Sequence, residues 1–167
     1  LVIKRLAASN AQFDAFYQYL SKSSIYNVTT GKIEGVDLGT SYTFIVPNTA
    51  AIAKAVADKV LPANPATTVQ GERDLIADFI RYHIISNKTA SNDGNVVGQY
   101  ETLRKNTQGD KTYVDINSTS STLTFKDNTV VGSAGFNPAA NAIIASSNNL
   151  ADRSLIHLVD NYLKFTE

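Results

Sequence analysis

A chain of 167 residues with 43% apolar content has the size and make-up of one ordinary globular domain, residues 1–167, and buries roughly 70% of the surface its unfolded form would expose. Fifteen basic residues balance fifteen acidic ones, which argues against a general nucleic-acid or polyanion binder, since that needs a basic excess. The absence of cysteine removes disulfides, thiolate nucleophiles and cysteine metal sites, and no run approaches the ~20 apolar residues of a membrane-spanning helix.

The chain opens at Leu1 without Met or a signal peptide, which points to a processed product or a cloned piece whose targeting segment has been removed. Ser9 or Asn10 has the chemistry of a helix N-cap. Phe13, Phe16, Tyr17 and Leu20 then recur at helical spacing and form one apolar face. Residues 25–40 are polar and carry Gly31, Gly35 and Gly39, so they read as a loop. Tyr42–Val46 is a strand by composition and closes at Pro47. Asn48 or Thr49 can cap a helix whose apolar side is Ile52, Ala55, Val56 and Val60, ended by Pro62 and Pro65.

Residues 72–85 carry the best helical pattern. Leu75, Ile76, Phe79, Ile80, His83 and Ile84 share one face, and the run can pass from helix into strand at Tyr82 to Ile85. After a loop at 87–95 the chain reads as short strands. Tyr113–Ile116 and Leu123–Phe125 alternate, Asp127–Asn128 is placed for a tight turn, and Val130–Val131 and Ile143–Ile144 are short apolar pieces around a Gly/Asn/Pro segment. Asn148 to Ser154 is polar and reads as a surface excursion. Leu155 to Leu163 is apolar with an ambiguous period: it fits a helical face, and it fits a strand buried on both sides. Helices first and strands afterwards indicate an α+β fold. Three Asn-x-Ser/Thr sequons, at Asn27, Asn87 and Asn117, occur at the frequency this composition gives by chance.

Three stretches, in order, resemble the fasciclin (FAS1) domain family. Thr43-Phe44-Ile45-Val46-Pro47, running on to Ala51-Ile52, is similar to the family's first signature. Ile80-Arg81-Tyr82-His83-Ile84-Ile85 is similar to its Tyr-His element. Leu155-Ile156-His157-Leu158-Val159-Asp160 is similar to its second signature. The resemblance spans nearly the whole chain and implies that Leu155 to Asp160 is a central strand. It implies a twisted β-sandwich or wedge of about seven strands with helices from the N-terminal half packed on it. There are departures. Arg153-Ser154 stands where the family usually has Asn-Gly. Ala142-Ile143 stands near the place of an Asp-Ile pair linked in some animal members to integrin adhesion. An integrin-type mechanism is therefore not carried over. The cysteine-free, Ser/Thr/Asn-rich style resembles a bacterial surface member.

The two histidines are the natural catalytic or metal candidates. Both lie in apolar runs, where a neutral imidazole hydrogen-bonded in the core outweighs other roles. The resemblance implies that Tyr82 and His83 contribute to a ligand-binding surface, and that Thr43, Pro47, His157 and Asp160 belong to the structural motif. Asp160 is expected to accept hydrogen bonds from a neighbouring loop. No metal motif with local histidine spacing, no Gly-x-Ser-x-Gly elbow and no phosphate-binding glycine loop occurs, so no catalytic residue, metal or cofactor is expected. The eight tyrosines would suit sugars or proteins if exposed, and ordinary strand packing is the use expected of them. The resemblance implies a non-catalytic, extracellular or cell-surface adhesion module with a protein or polysaccharide ligand. A polysaccharide- or nutrient-binding module of a bacterial surface protein is the first alternative, and a hydrolase on the same scaffold the second.

Overall fold

The computed structural model describes residues 2–37, 39–91, 93–127, 139–151 and 153–167. The first helix, α1 (Val2–Ser9), is followed by a short 3-10 turn (Ala11–Phe13) leading into α2 (Asp14–Lys22). Asn10 starts that turn by accepting a hydrogen bond from Gln12 N at 3.0 Å. Strand β1 (Tyr42–Pro47) leads into α3 (Thr49–Ala57), which Asn48 caps by accepting from Ala51 N at 2.8 Å. Helix α4 (Gln70–Tyr82) ends at His83 and passes directly into β2 (Ile84–Ser86).

Strands β3 (Val97–Lys105), β4 (Lys111–Ser118), β5 (Leu123–Asp127), β6 (Ala140–Asn141), β7 (Asn149–Ala151) and β8 (Ser154–Val159) complete the described strands. The turn expected at Asn128 and the pair Val130–Val131 lie outside the described residues. All eight strands join one mixed sheet in the order β6-β5-β4-β3-β2-β1-β8-β7. The β1–β8 pair is parallel and its other neighbours are antiparallel. The sheet curls on itself. The chain leaving β6 meets the end of β8 through an Ala142–Val159 bridge, with Ile143 N donating to Leu158 O at 2.8 Å and Asp160 N to Asn141 O at 3.0 Å. The result is a half-barrel made of one curled sheet with the helices packed on it, which bears out the α+β class and the twisted, wedge-like sheet expected from the sequence.

The curl gives β1 and β8 two apolar faces. Phe44, Val46, Ile156 and Leu158 face the helices, where Phe16, Leu20, Ile52, Ala55, Phe79 and Ile80 pack on them. Ile45 and Val159 face the inside of the curl with Ile85, Val114, Ile116 and Phe125. Burial on both faces explains why Leu155 to Val159 is nearly continuous in hydrophobicity rather than alternating. In contrast β4, with one face solvated, alternates buried and exposed residues along its length. Two local readings differ from the structure. Leu75, placed by its spacing on the apolar face of α4, is 50% exposed. Residues 149–151 (Asn-Leu-Ala), within the polar excursion, form the short edge strand β7 against β8, and a very short strand is one way an edge is kept from further pairing.

Candidate functional site

The two signature strands converge on one loop. Thr43 of β1 donates from Oγ1 to the Lys88 carbonyl at 2.7 Å and accepts from Ala90 N at 2.8 Å. His157 of β8 reaches the carbonyl of the same Ala90 through Nε2 at 2.6 Å, while its Nδ1 accepts from Asn148 N at 3.1 Å. Because Nδ1 takes a backbone N–H, it has no proton, and Nε2–H is the donor. Register makes this possible. Thr43 is paired with Leu155 and Ile45 with His157, so Thr43 and His157 project from the same sheet face two residues apart. Together they fix the 88–90 segment, whose backbone would otherwise be buried without partners. Ala90 is fully buried.

His83 makes the mirror arrangement at the end of α4. Its Nε2 accepts from Leu163 N at 2.9 Å, and Nδ1–H donates to the Phe79 carbonyl at 2.7 Å, one helical turn back. The ring stacks on Phe79 at 4.2 Å between centroids. The two histidines are therefore opposite tautomers, each neutral and each joining segments distant in sequence. Burial pushes His83 down to about 4, against the Phe79 bond that raises it. Burial likewise lowers His157, against the bond to Ala90.

Tyr82 and His83 are 1% and 0% exposed, so the expectation that they contact a ligand at the surface is corrected. Tyr82 points into the curl of the sheet, donates from its hydroxyl to the Tyr113 carbonyl at 3.0 Å and meets Phe165 edge-on at 5.4 Å. The physical reason is the position of α4. His83 continues the helical face that packs on the sheet, while Tyr82, at the last turn, is captured by the other core.

Pro47 sits where β2 no longer accompanies β1. Ile45 N donates to His83 O and Asn48 N to Val159 O, so the missing proline N–H falls on the unpaired side and leaves no ladder bond unmade. Asp160, in the bend after β8, accepts from Asn141 N at 2.7 Å and from Asn141 Nδ2 at 3.3 Å. It thus fastens the strand end to β6 where the sheet curls back. The partners of these motif residues (Lys88, Ala90, Asn148, Leu163) are engaged through backbone groups. A backbone partner carries no side-chain signature, which is why the sequence does not announce them.

All eight tyrosines are buried or half-buried, with Tyr26 and Tyr162 among the buried ones. Among the described residues the exposed large apolar side chains are aliphatic, with Leu150 on β7 the most open at 77%. Among the described residues there is no group of three or more metal-capable side chains, and no helix is long and apolar enough to cross a membrane.

Helices packed on the outside of a curled mixed sheet, with the first and last strands parallel and pinned by a threonine and a histidine, define an α+β half-barrel whose motif residues are internal fasteners. The family model for the fasciclin domain matches residues 11–165, and the chain belongs to the fasciclin family. No curated protein matches the chain.

Proposed function

We propose that residues 1–167 act as one non-catalytic binding module of a bacterial surface or secreted protein, outside the cell, with a protein ligand. Fasciclin domains are generally non-catalytic adhesion modules. The observation that carries the choice of ligand is the distribution of side chains on the surface. Sugar recognition relies on exposed flat aromatic faces. Here every tyrosine is at least half-buried, while Leu150, Val97, Val69 and Leu75 present aliphatic surface. Protein contacts use such apolar anchors inside a polar rim. The hydrolase alternative gains no support from the histidines, because all four ring nitrogens are engaged with backbone groups.

The test is a binding screen of the purified chain against arrays of extracellular proteins and of glycans, at low and physiological salt. A salt-tolerant protein hit is expected, weakened about tenfold or more by Leu150→Asp if β7 is a contact strand. A salt-tolerant glycan hit with no protein hit would move the assignment to the polysaccharide-binding alternative.

A further inference from the structure

A cavity of about 450 Å³ lies under α1, between the 25–40 loop and the β1/β8 pair. Its floor follows from the strand register. Tyr42 pairs with Ser154 and Phe44 with Ile156, so all four side chains project from the helix-facing side of the sheet. Ile3 of α1 and Ile33 and Val36 of the loop supply apolar walls.

Thr30, Thr40 and the charged Lys32, Asp37 and Arg153 also line the cavity, and two further polar groups are buried there. The Tyr26 and Ser154 hydroxyls are both buried, in residues 7% and 1% exposed, and neither oxygen has a hydrogen-bond partner among the described residues. Both residues line the cavity. A buried hydroxyl without a partner is unfavourable, and native structures rarely keep one unless something else satisfies it. Two residues with such hydroxyls in the wall of one cavity of ligand size point to a shared missing partner. Burial, with Tyr17 and Tyr42 nearby, raises the Tyr26 phenol above its ordinary value, so it remains a donor at neutral pH. At the mouth, Lys32 and Arg153 stand with Asp37. Both signs are present there and no charged side chain is among the buried groups of the floor, which favours an uncharged occupant.

We propose that this cavity is a binding site for a small, mostly apolar, uncharged organic molecule carrying a hydroxyl or carbonyl oxygen, which Tyr26 and Ser154 orient by hydrogen bonds. The site is separate from the outer surface proposed for protein binding, and neither depends on the other.

The experiment uses 4-butylphenol and butylbenzene, which share an apolar body and differ by one hydroxyl, titrated into the full chain by isothermal calorimetry with amide chemical shifts as the reporter. 4-Butylphenol is expected to bind and to shift the amides of residues 26, 33 and 154–156, with butylbenzene about fivefold to tenfold weaker. Tyr26→Phe and Ser154→Ala remove groups that have no partner among the described residues, so both variants should melt no lower than the wild type. Combined, they should abolish the preference for the phenol. Ala151→Phe, which fills the cavity from β7, should remove binding of both probes. No binding by either probe, or a preference for the phenol that survives the double variant, would overturn the proposal.

Discussion

His83→Ala is expected to destabilise the protein by about 3–5 kcal/mol, the largest effect of any single substitution considered. The change strips partners from the Phe79 carbonyl and the Leu163 N–H, both of which the imidazole satisfies. It also empties the volume of a ring that stacks on Phe79. At roughly 2–4 °C per kcal/mol for a chain of this size, the melting temperature should fall by about 6–20 °C. His157→Ala leaves the Ala90 carbonyl and Asn148 N–H without their side-chain partner. Asn148 lies at the exposed surface, where water can replace part of what is lost. A smaller cost of about 1–3 kcal/mol is expected there. Urea denaturation at pH 7 measures both. A His83→Ala variant as stable as the wild type would show that the ring is not an internal fastener.

The second large effect is on the pH dependence of stability, where two buried groups oppose each other. Both histidines have folded pKa values below their ordinary one, His83 at about 4. Between pH 4 and 6.5 the unfolded chain binds more protons than the folded one, so this contribution makes stability rise with pH. Asp127 works in the other direction. Burial pushes it up to about 7, despite the Lys164 N–H and the charges of Lys126 and Lys164 that lower it. One oxygen accepts from Lys164 N at 2.9 Å, and the other is buried without a partner among the described residues. Between about pH 4 and 7 the folded state holds a proton that the unfolded chain has released, so this contribution makes stability fall as pH rises.

At about 1.4 kcal/mol for each tenfold change in proton affinity, the Asp127 and His83 contributions are each on the order of 3 kcal/mol. The wild-type profile across pH 4 to 7 is therefore expected to be shallow. Asp127→Asn removes one side of the balance. The variant should match the wild type near pH 4 and exceed it by about 2–4 kcal/mol at pH 8, with a profile that climbs steeply between pH 4 and 6.5. A variant less stable than the wild type at pH 8 would mean that Asp127 is ionised and stabilising, contrary to its burial.

Much of this architecture is legible in the residues, and the rest is hidden for identifiable reasons. The β1 segment carries its strand character in composition, β8 is ambiguous by period and is marked as a strand only by the family resemblance, and the caps at Asn10 and Asn48 are visible because capping is a local interaction. The passage from α4 to β2 shows as a helical pattern that runs out at Tyr82. The burial of His83 follows from its spacing with Phe79 and Ile80. Tyr82 lies off that face and is buried only because the sheet curls around it, a tertiary fact with no local period. Residues 25–40 look like a surface loop by glycine and polar content, yet Ile25, Tyr26 and Ile33 enter the core, through a bridge between Tyr26 and Ile33. Helix α1 is short, and Ile3 is the one residue it buries in the helix-side core, too little for a periodic pattern to announce it. Likewise the pairing of Asn141 with Asp160 joins residues far apart in sequence, and no local pattern in either segment announces it.

The most direct test of whether the motif residues are internal fasteners is the nitrogen-15 spectrum of the two histidine rings across pH 4 to 8. Only two histidines are present, so each tautomer can be assigned without ambiguity. The geometry predicts a protonated Nδ1 for His83, a protonated Nε2 for His157, and no titration of either ring near pH 6.5. Two rings that titrate together near pH 6.5 with averaged tautomers would contradict it and return Tyr82-His83 to the surface.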